Sequence, residues 1–303
     1  MVYDCIIIGG GPSGAICSLI LQKQGLCCLL LEKRAVIDEK ICGGFIPDRC
    51  RNSILGCGVD LSELFPNAKK IEGYTEIRNA QKKVFSYGNS QYGLGTYRET
   101  LDSFLINKTR LSGTTVLYGE PVFNYEKKGD LYIVNGYRGK HIVWATGAQS
   151  ASAISAFDKD RVREKMKHQS MGISEIIQTE SCALQDNRVY FWYEGQKKDY
   201  FWAIPVSEKT WNIGYWTQTD RTGLKEKFTE GRKRWIESSC FGIEVVRSAK
   251  GALLGNTDFS ECLIHHETMC CGDLAGTNNI LTGEGIAQAV QSAKMIAQKI
   301  INF

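Results

Sequence analysis

The stretch Ile6-Ile7-Ile8-Gly9-Gly10-Gly11-Pro12-Ser13-Gly14 joins an apolar run that ends at Ile8 to a segment patterned as a helix. Gly9, Gly11 and Gly14 fit G-x-G-x-x-G. In a strand-turn-helix unit the first of these glycines permits a sharp turn. The second admits backbone N–H groups close to a pyrophosphate, and the third lets the helix pack tightly on its strand. The phosphate then lies against the positive end of the helix. A second apolar run, Cys27 to Leu31, ends in Glu32, 18 residues past Gly14. An acid at about that spacing accepts hydrogen bonds from a ribose. Strand, helix and acid in register predict a dinucleotide-binding β-α-β unit.

Further along, Leu101, Phe104 and Leu105 recur at helical spacing and predict a helix from Tyr97 to about Leu111. Strand-like runs follow at Thr115 to Tyr118, Val122 to Glu126, Leu131 to Val134 and His141 to Ala145, the last continuing into Thr146-Gly147. From about Gln169 to Gly251 the chain is rich in aromatic and β-branched residues. Val189 to Tyr193, Tyr200 to Trp202 and Trp211 to Trp216 read as strands of an antiparallel sheet, interrupted by one helix from about Leu224 to Cys240. Near the end, Thr268 to Cys271 reads as a buried strand and Gly272 to Gly276 as a turn. Gly283 to Ile301 reads as a helix with Ile286, Ala289, Val290 and Ala293 on one face.

With 303 residues the chain can bury a large core in one elaborate domain or two interleaved ones. No apolar stretch approaches the ~20 residues of a membrane span, and Met-Val-Tyr-Asp leads straight into a strand with no signal peptide, so the expectation is a cytoplasmic protein without a transmembrane segment. The 12 cysteines are scattered; Cys5, Cys17, Cys27 and Cys28 fall in predicted elements as small apolar groups, and no C-x-x-C suggests a metal. A net charge of +4 is modest, with Lys82-Lys83, Lys197-Lys198 and Arg232-Lys233-Arg234 read as solvated faces and nucleic acid set aside as a partner. His265 and His266 lack a carboxylate or cysteine at ligand spacing and read as a surface turn. No G-x-S-x-G supports a serine hydrolase.

The glycine motif with Glu32, the Arg98-to-Asp102 stretch, Ala145-Thr146-Gly147 and Gly272-Asp273 occur in an order that resembles the flavoprotein monooxygenase fold typified by p-hydroxybenzoate hydroxylase. The resemblance spans nearly the whole chain. It implies an α/β fold in which a Rossmann-like FAD-binding domain (1–70, 96–165 and 255–303) is interleaved with an antiparallel β-sheet substrate domain (71–95 and 166–254). It also implies FAD contacts from Gly9, Gly11, Pro12, Ser13, Gly14, Glu32, Lys33, Cys42, Gly43, Arg98, Ala145, Gly147, Gly272, Asp273, Gly283, Gly285 and Ile286. Two finer motifs, Lys40-Ile41-Cys42-Gly43-Gly44 and Tyr200-Phe201-Trp202-Ala203-Ile204-Pro205, are similar to segments of the geranylgeranyl reductase family, with Ile204 where phenylalanine is usual. Ile280 stands where a proline commonly precedes the glycine segment Gly283-Glu284-Gly285.

These segments also have a reading of their own. The Lys40 ammonium would favour a thiolate at Cys42 beside a ligand; a buried structural cysteine explains the residue equally well. Tyr200, Trp202 and Ile204 fall on one strand face and Phe201 and Ala203 on the other, either as an ordinary sheet core or, with Pro205, as a substrate wall. The reductase resemblance implies saturation of carbon-carbon double bonds in an apolar or amphipathic substrate such as a prenyl chain, with Cys42 or Tyr200 as proton source. Trp202 and Ile204-Pro205 also resemble the W-x-W-x-I-P motif of flavin halogenases, with Tyr200 at the first tryptophan, so a monooxygenase or halogenase is the alternative. A flavin electron carrier is the third reading. A second G-x-G-x-x-G is absent, which leaves NAD(P)H, ferredoxin or another electron-donor protein as the source of electrons. The chain stops soon after the last helix, and a shortened substrate cavity is expected.

Overall fold

A computed structural model describes residues 1–303 apart from 156, 185–186, 195–198, 219–220, 257, 259, 261–267 and 280–281. Lys197, Lys198, His265, His266 and Ile280 therefore lie outside the described residues. The chain opens with β1 (Val2–Ile8), α1 (Pro12–Lys23) and β2 (Cys28–Glu32). A mixed segment follows: β3 (Phe45–Ile46), α2 (Asp48–Leu55), β4 (Lys69–Ile71), β5 (Gly73–Arg78), β6 (Gln81–Ser86) and β7 (Gly93–Gly95). After α3 (Arg98–Leu111) come β8 (Thr115–Tyr118), β9 (Glu126–Lys128), β10 (Leu131–Val134), β11 (Tyr137–Trp144) and α4 (Lys159–Met166). The aromatic region forms β12 (Ser170–Cys182), β13 (Arg188–Tyr193), β14 (Tyr200–Pro205), β15 (Thr210–Thr217), α5 (Leu224–Ser239) and β16 (Cys240–Leu254), and the chain closes with β17 (Met269–Cys270) and α6 (Ile286–Ile301).

The first sheet runs β8-β2-β1-β11-β10-β9, with β17 pairing the end of β11. Its centre is parallel. The period of two along a strand divides β1 between two cores. Cys5 and Ile7 pack with α1 and α6, whereas Ile6 and Ile8 pack with Trp144 and Phe157. Burial on both faces explains why β1 and β2 read as unbroken apolar runs. Each fully buried Ile or Leu there contributes about 1.5–3 kcal/mol. In such sheets a ligand lies beyond the carboxyl ends of the strands. Gly9, Glu32, Ala145 and Cys271 all stand at or just past such ends.

The second sheet runs β16-β12-β15-β14-β13-β5-β6 and is antiparallel except where β13 meets β5. Helix α5 covers one face through Phe228 and Trp235, which pack on Phe201, Ala203 and Ile213. The opposite face carries Tyr200, Trp202, Ile204 and Trp216. A small sheet β3-β7-β4 bridges the two layers, and Gly95 sits so close to β14 that a Cβ there would stand 1.9 Å from the Pro205 carbonyl oxygen.

Three sequence expectations change. Val122 to Phe123 and Tyr125 form no strand; Val122 is buried and Tyr125 packs against the same core, so the alternation marks a loop that covers the sheet, and pairing starts only at Glu126. Cys27 is exposed ahead of β2, its N–H donating to Asp4, while Cys5, Cys17 and Cys28 are buried. The last helix starts at Ile286, because Gly283 has φ +67° and Gly285 is the N-cap. Among the described residues no helix is long and apolar enough to cross a membrane.

Candidate active site

The glycine loop after β1 is shaped by close approaches. Gly9 has φ +108°, and a Cβ on it would stand 2.5 Å from the Ala145 carbonyl oxygen; on Gly14 it would stand 1.9 Å from the Gly9 oxygen. Both positions therefore require glycine for the chain to fold. Gly11 is different. As N-cap of α1 it has φ −71°, which any residue adopts, and a Cβ would meet none of the described residues within 4 Å. Its missing side chain opens space outside the fold, beside a helix start with Pro12 in the first turn and no side-chain cap. Uncapped first-turn amides and the helix dipole together suit an anion. Ser13 is buried, with its hydroxyl against Gly272 and the Cys271 thiol, which leaves its backbone amide as the group able to meet a ligand.

Glu32 lies at the end of β2, where its Oε2 accepts from Gly10 N at 2.7 Å and its Oε1 from Arg34 N and Nε at 3.0 and 2.9 Å. Burial alone would raise this carboxyl, but the hydrogen bonds from Arg34 and Gly10 outweigh it and hold the group below the usual glutamate range. A depressed folded pKa gives stability that is present above the ordinary glutamate value of 4.5 and lost as pH falls through the folded value. Glu32→Gln should flatten the acid limb of a urea-unfolding stability curve below about pH 4.5; an unchanged limb would show that Glu32 is not linked to folding. Lys33 is exposed beside it.

Across the cleft, Arg98 opens α3 and is buried, with Nη2 donating to both Asp102 oxygens at 3.1 Å and Nε donating to Oδ1 at 3.2 Å. Burial opposes the guanidinium charge, but Asp102 more than compensates and holds it charged. Lys40, although exposed overall, brings its ammonium near Gly147, Arg98, Asp273 and Cys42. Desolvation and then Arg98 lower its pKa.

Cys42 lies on a clamped loop. Its carbonyl accepts from Asn212 Nδ2 at 2.7 Å, and Asn212 Oδ1 accepts from Trp202 Nε1 at 2.9 Å. The thiol sulfur accepts weakly from Gly44 N at 3.4 Å and lies beside the Arg98 guanidinium. Gly43 presses on the aromatic wall: a Cβ there would stand 2.8 Å from Ile204 Cδ1 and 3.4 Å from Trp202 Nε1. Trp202 and Ile204 are consequently buried, and Pro205 is buried against Gly95.

Tyr200 donates to the Thr282 carbonyl at 2.5 Å, and burial pushes its hydroxyl well above the usual tyrosine range. It stacks at a tilt on Trp216, and the two side chains crowd Gly283, where a Cβ would come within 3.0 Å of the Tyr200 oxygen and 3.1 Å of Trp216 Nε1. Glu284 in that loop pairs with Arg49 of α2. Gly285 sits close to Asn278 Nδ2 and Asp273 Oδ1, and Ile286 begins α6 with its side chain in the core. Asn212, Arg34, Trp216 and the Arg49–Glu284 pair are not among the site residues expected from the sequence. Only Asn212 leaves a signal there, as the one amide in the apolar run Trp211 to Trp216.

The cleft thus has a glycine loop with one side open, an acid at the end of β2 and a second glycine turn at the start of α6. Among the described residues, Thr146 Oγ1 and Asn278 Oδ1 are buried without a hydrogen-bond partner. The family profile described as "FAD binding domain" matches residues 2–303. The chain belongs to the FAD-binding domain family. FAD fits the residues present, with the Gly9-to-Gly14 backbone suited to its diphosphate and Glu32 to its ribose.

Among curated proteins the chain is similar to the digeranylgeranylglycerophospholipid reductase of Methanococcus vannielii, at 26% identity over 70% of this chain and 54% of that protein. It is also similar to the protein of the same name from Methanocaldococcus jannaschii, at 25% identity over 100% of this chain and 78% of that protein. The chain thus spans about half of the first relative's length. Among solved structures, a geranylgeranyl bacteriochlorophyll reductase-like protein of Thermoplasma acidophilum has TM-score 0.81 at 17% identity, covering 99% of this chain and 78% of its own. A flavin-dependent brominase has TM-score 0.77 at 17% identity, covering 100% and 80%. These structures share the α/β fold.

Proposed function

We propose that this flavoprotein reduces carbon-carbon double bonds in prenyl chains of lipid-like molecules, with Cys42 as the proton donor. The observation that carries the reading is the Cys42 thiol itself, set beside the Arg98 guanidinium on a loop that Asn212 ties to the aromatic wall. The curated names of the similar archaeal proteins support the substrate class. Bound FAD, once reduced, supplies the hydride for such a reaction. Cys42 gives the matching proton to the neighbouring carbon, and hydride and proton together saturate the double bond. Arg98 stabilises the thiolate that remains until water reprotonates it.

Tyr200 suits this role less. Its O–H is held by the Thr282 carbonyl in a buried site where the phenolate is strongly disfavoured. Its work is to buttress the Gly283 turn. In the same proposal Gly9, Gly11, Gly14, Glu32, Arg98, Asp273, Gly283 and Gly285 hold FAD, and the electrons come from NAD(P)H or a ferredoxin.

Dithionite-reduced, FAD-loaded protein mixed anaerobically with geranylgeranyl lipids should deplete their double bonds. Cys42→Ser should slow this at least about 100-fold, the usual range for a lost proton donor; undiminished turnover would remove Cys42 from the role. Halogenase chemistry is the second reading, favoured by the brominase likeness and by Trp202 with Ile204-Pro205. Incorporation of bromide into an added aromatic in air, with no alkene loss, would favour it instead.

A further inference from the structure

Away from the cleft, at the far end of the second sheet, Cys182 and Cys240 face each other across β12 and β16 in direct register. Their sulfurs are 3.3 Å apart, with one thiol donating to the other. The adjacent position carries the ladder hydrogen bond, Ala183 N to the Ser239 carbonyl at 2.7 Å, so Cys182 and Cys240 occupy a non-hydrogen-bonded pair. In such a pair the Cα atoms approach to about 4.5 Å, inside the range that a disulfide spans. Cys182, itself buried, also lines a cavity of about 250 Å³ together with Glu180, Ser207, Lys209 and Trp211. Cys240 is half-buried and caps α5.

We infer that Cys182 and Cys240 form a redox-active dithiol, open to a small-molecule disulfide through this cavity, that closes to a cross-strand disulfide. The Cys182 thiolate attacks one sulfur of the small disulfide and releases one thiol. Cys240 then attacks the mixed disulfide at Cys182 and releases the second, so the two protein thiols are oxidised as one disulfide is reduced to two thiols. The roles follow from the hydrogen bonding. The sulfur of Cys182 accepts from Cys240 and from the Leu184 backbone, which holds it below the usual thiol range, while Cys240, keeping the shared proton, is pushed up. Among the described residues no third ligand accompanies the pair to make a metal site. Closure would staple the end of α5 and the start of β16 to β12.

FAD-loaded wild-type protein incubated with oxidised glutathione should lose two titratable thiols and about 2 Da of mass, with a linked Cys182–Cys240 peptide on digestion that dithiothreitol reverses. Cys240→Ser, which keeps the attacking thiol, should instead accumulate one glutathione on Cys182. A wild-type protein that keeps both thiols free, or a Cys240→Ser protein without an adduct at Cys182, would overturn the inference. The wild-type result needs no substitution, so a variant that fails to fold does not rescue it.

Discussion

Gly11→Val should leave the fold standing, with stability lowered by no more than about 1 kcal/mol, the scale of a weakened helix N-cap, while FAD affinity falls at least about 100-fold, or about 2.7 kcal/mol. The reason is the contrast within one loop. Gly11 has an ordinary φ and none of the described residues within 4 Å of its missing Cβ, whereas Gly9 and Gly14 are each forced by backbone oxygens at 2.5 and 1.9 Å. Gly14→Val should therefore unfold the β-α-β unit, losing stability and FAD together. Gly11→Val should separate the two. Urea unfolding of the apoprotein, with quenching of FAD fluorescence as the binding readout, checks both variants. A stable Gly11→Val protein that binds FAD as tightly as the wild type would remove the diphosphate from this loop.

Asp102→Ala should destabilise the protein by about 3–5 kcal/mol, because it strands the Arg98 guanidinium in the interior. Asp102 is 1% exposed and Arg98 8%, and two guanidinium nitrogens depend on that one carboxylate. A loss of that size is a large part of the roughly 5–15 kcal/mol by which a domain is stable. Replacing both partners, as in Arg98→Met with Asp102→Leu, should recover most of it, since a well-packed apolar pair removes the stranded charge. Urea midpoints of the single and double variants form the check. A single-variant loss below about 1 kcal/mol would mean that water reaches the guanidinium. The recovered double variant should still be impaired in alkene reduction, because Cys42 would lose the cation beside it.

Much of the scaffold was readable in the sequence where a short period coincided with burial. Thr115 to Tyr118 and Leu131 to Val134 are strands over the bounds read from the chain, and the split of Tyr200, Trp202 and Ile204 from Phe201 and Ala203 is the split between two cores. Local pattern failed where burial comes from elsewhere. Helices α2 and α4 are mostly polar, with α4 burying only Val162, so no apolar stripe announces them. Val122 is apolar because it caps a sheet, and a capping loop and a short strand look alike in one dimension.

The sequence by itself determined the glycine turn, the helix start and the acid at the end of β2, because they lie within the first 32 residues and follow local strand and helix patterns. What surrounds Cys42 was decided only by the tertiary structure. Arg98 and Asn212 reach it from 56 and 170 residues away, and Cys182 meets Cys240 across 58. Contacts of that kind are set by how two sheets stack and by which strands pair, and they leave no periodic trace along the chain.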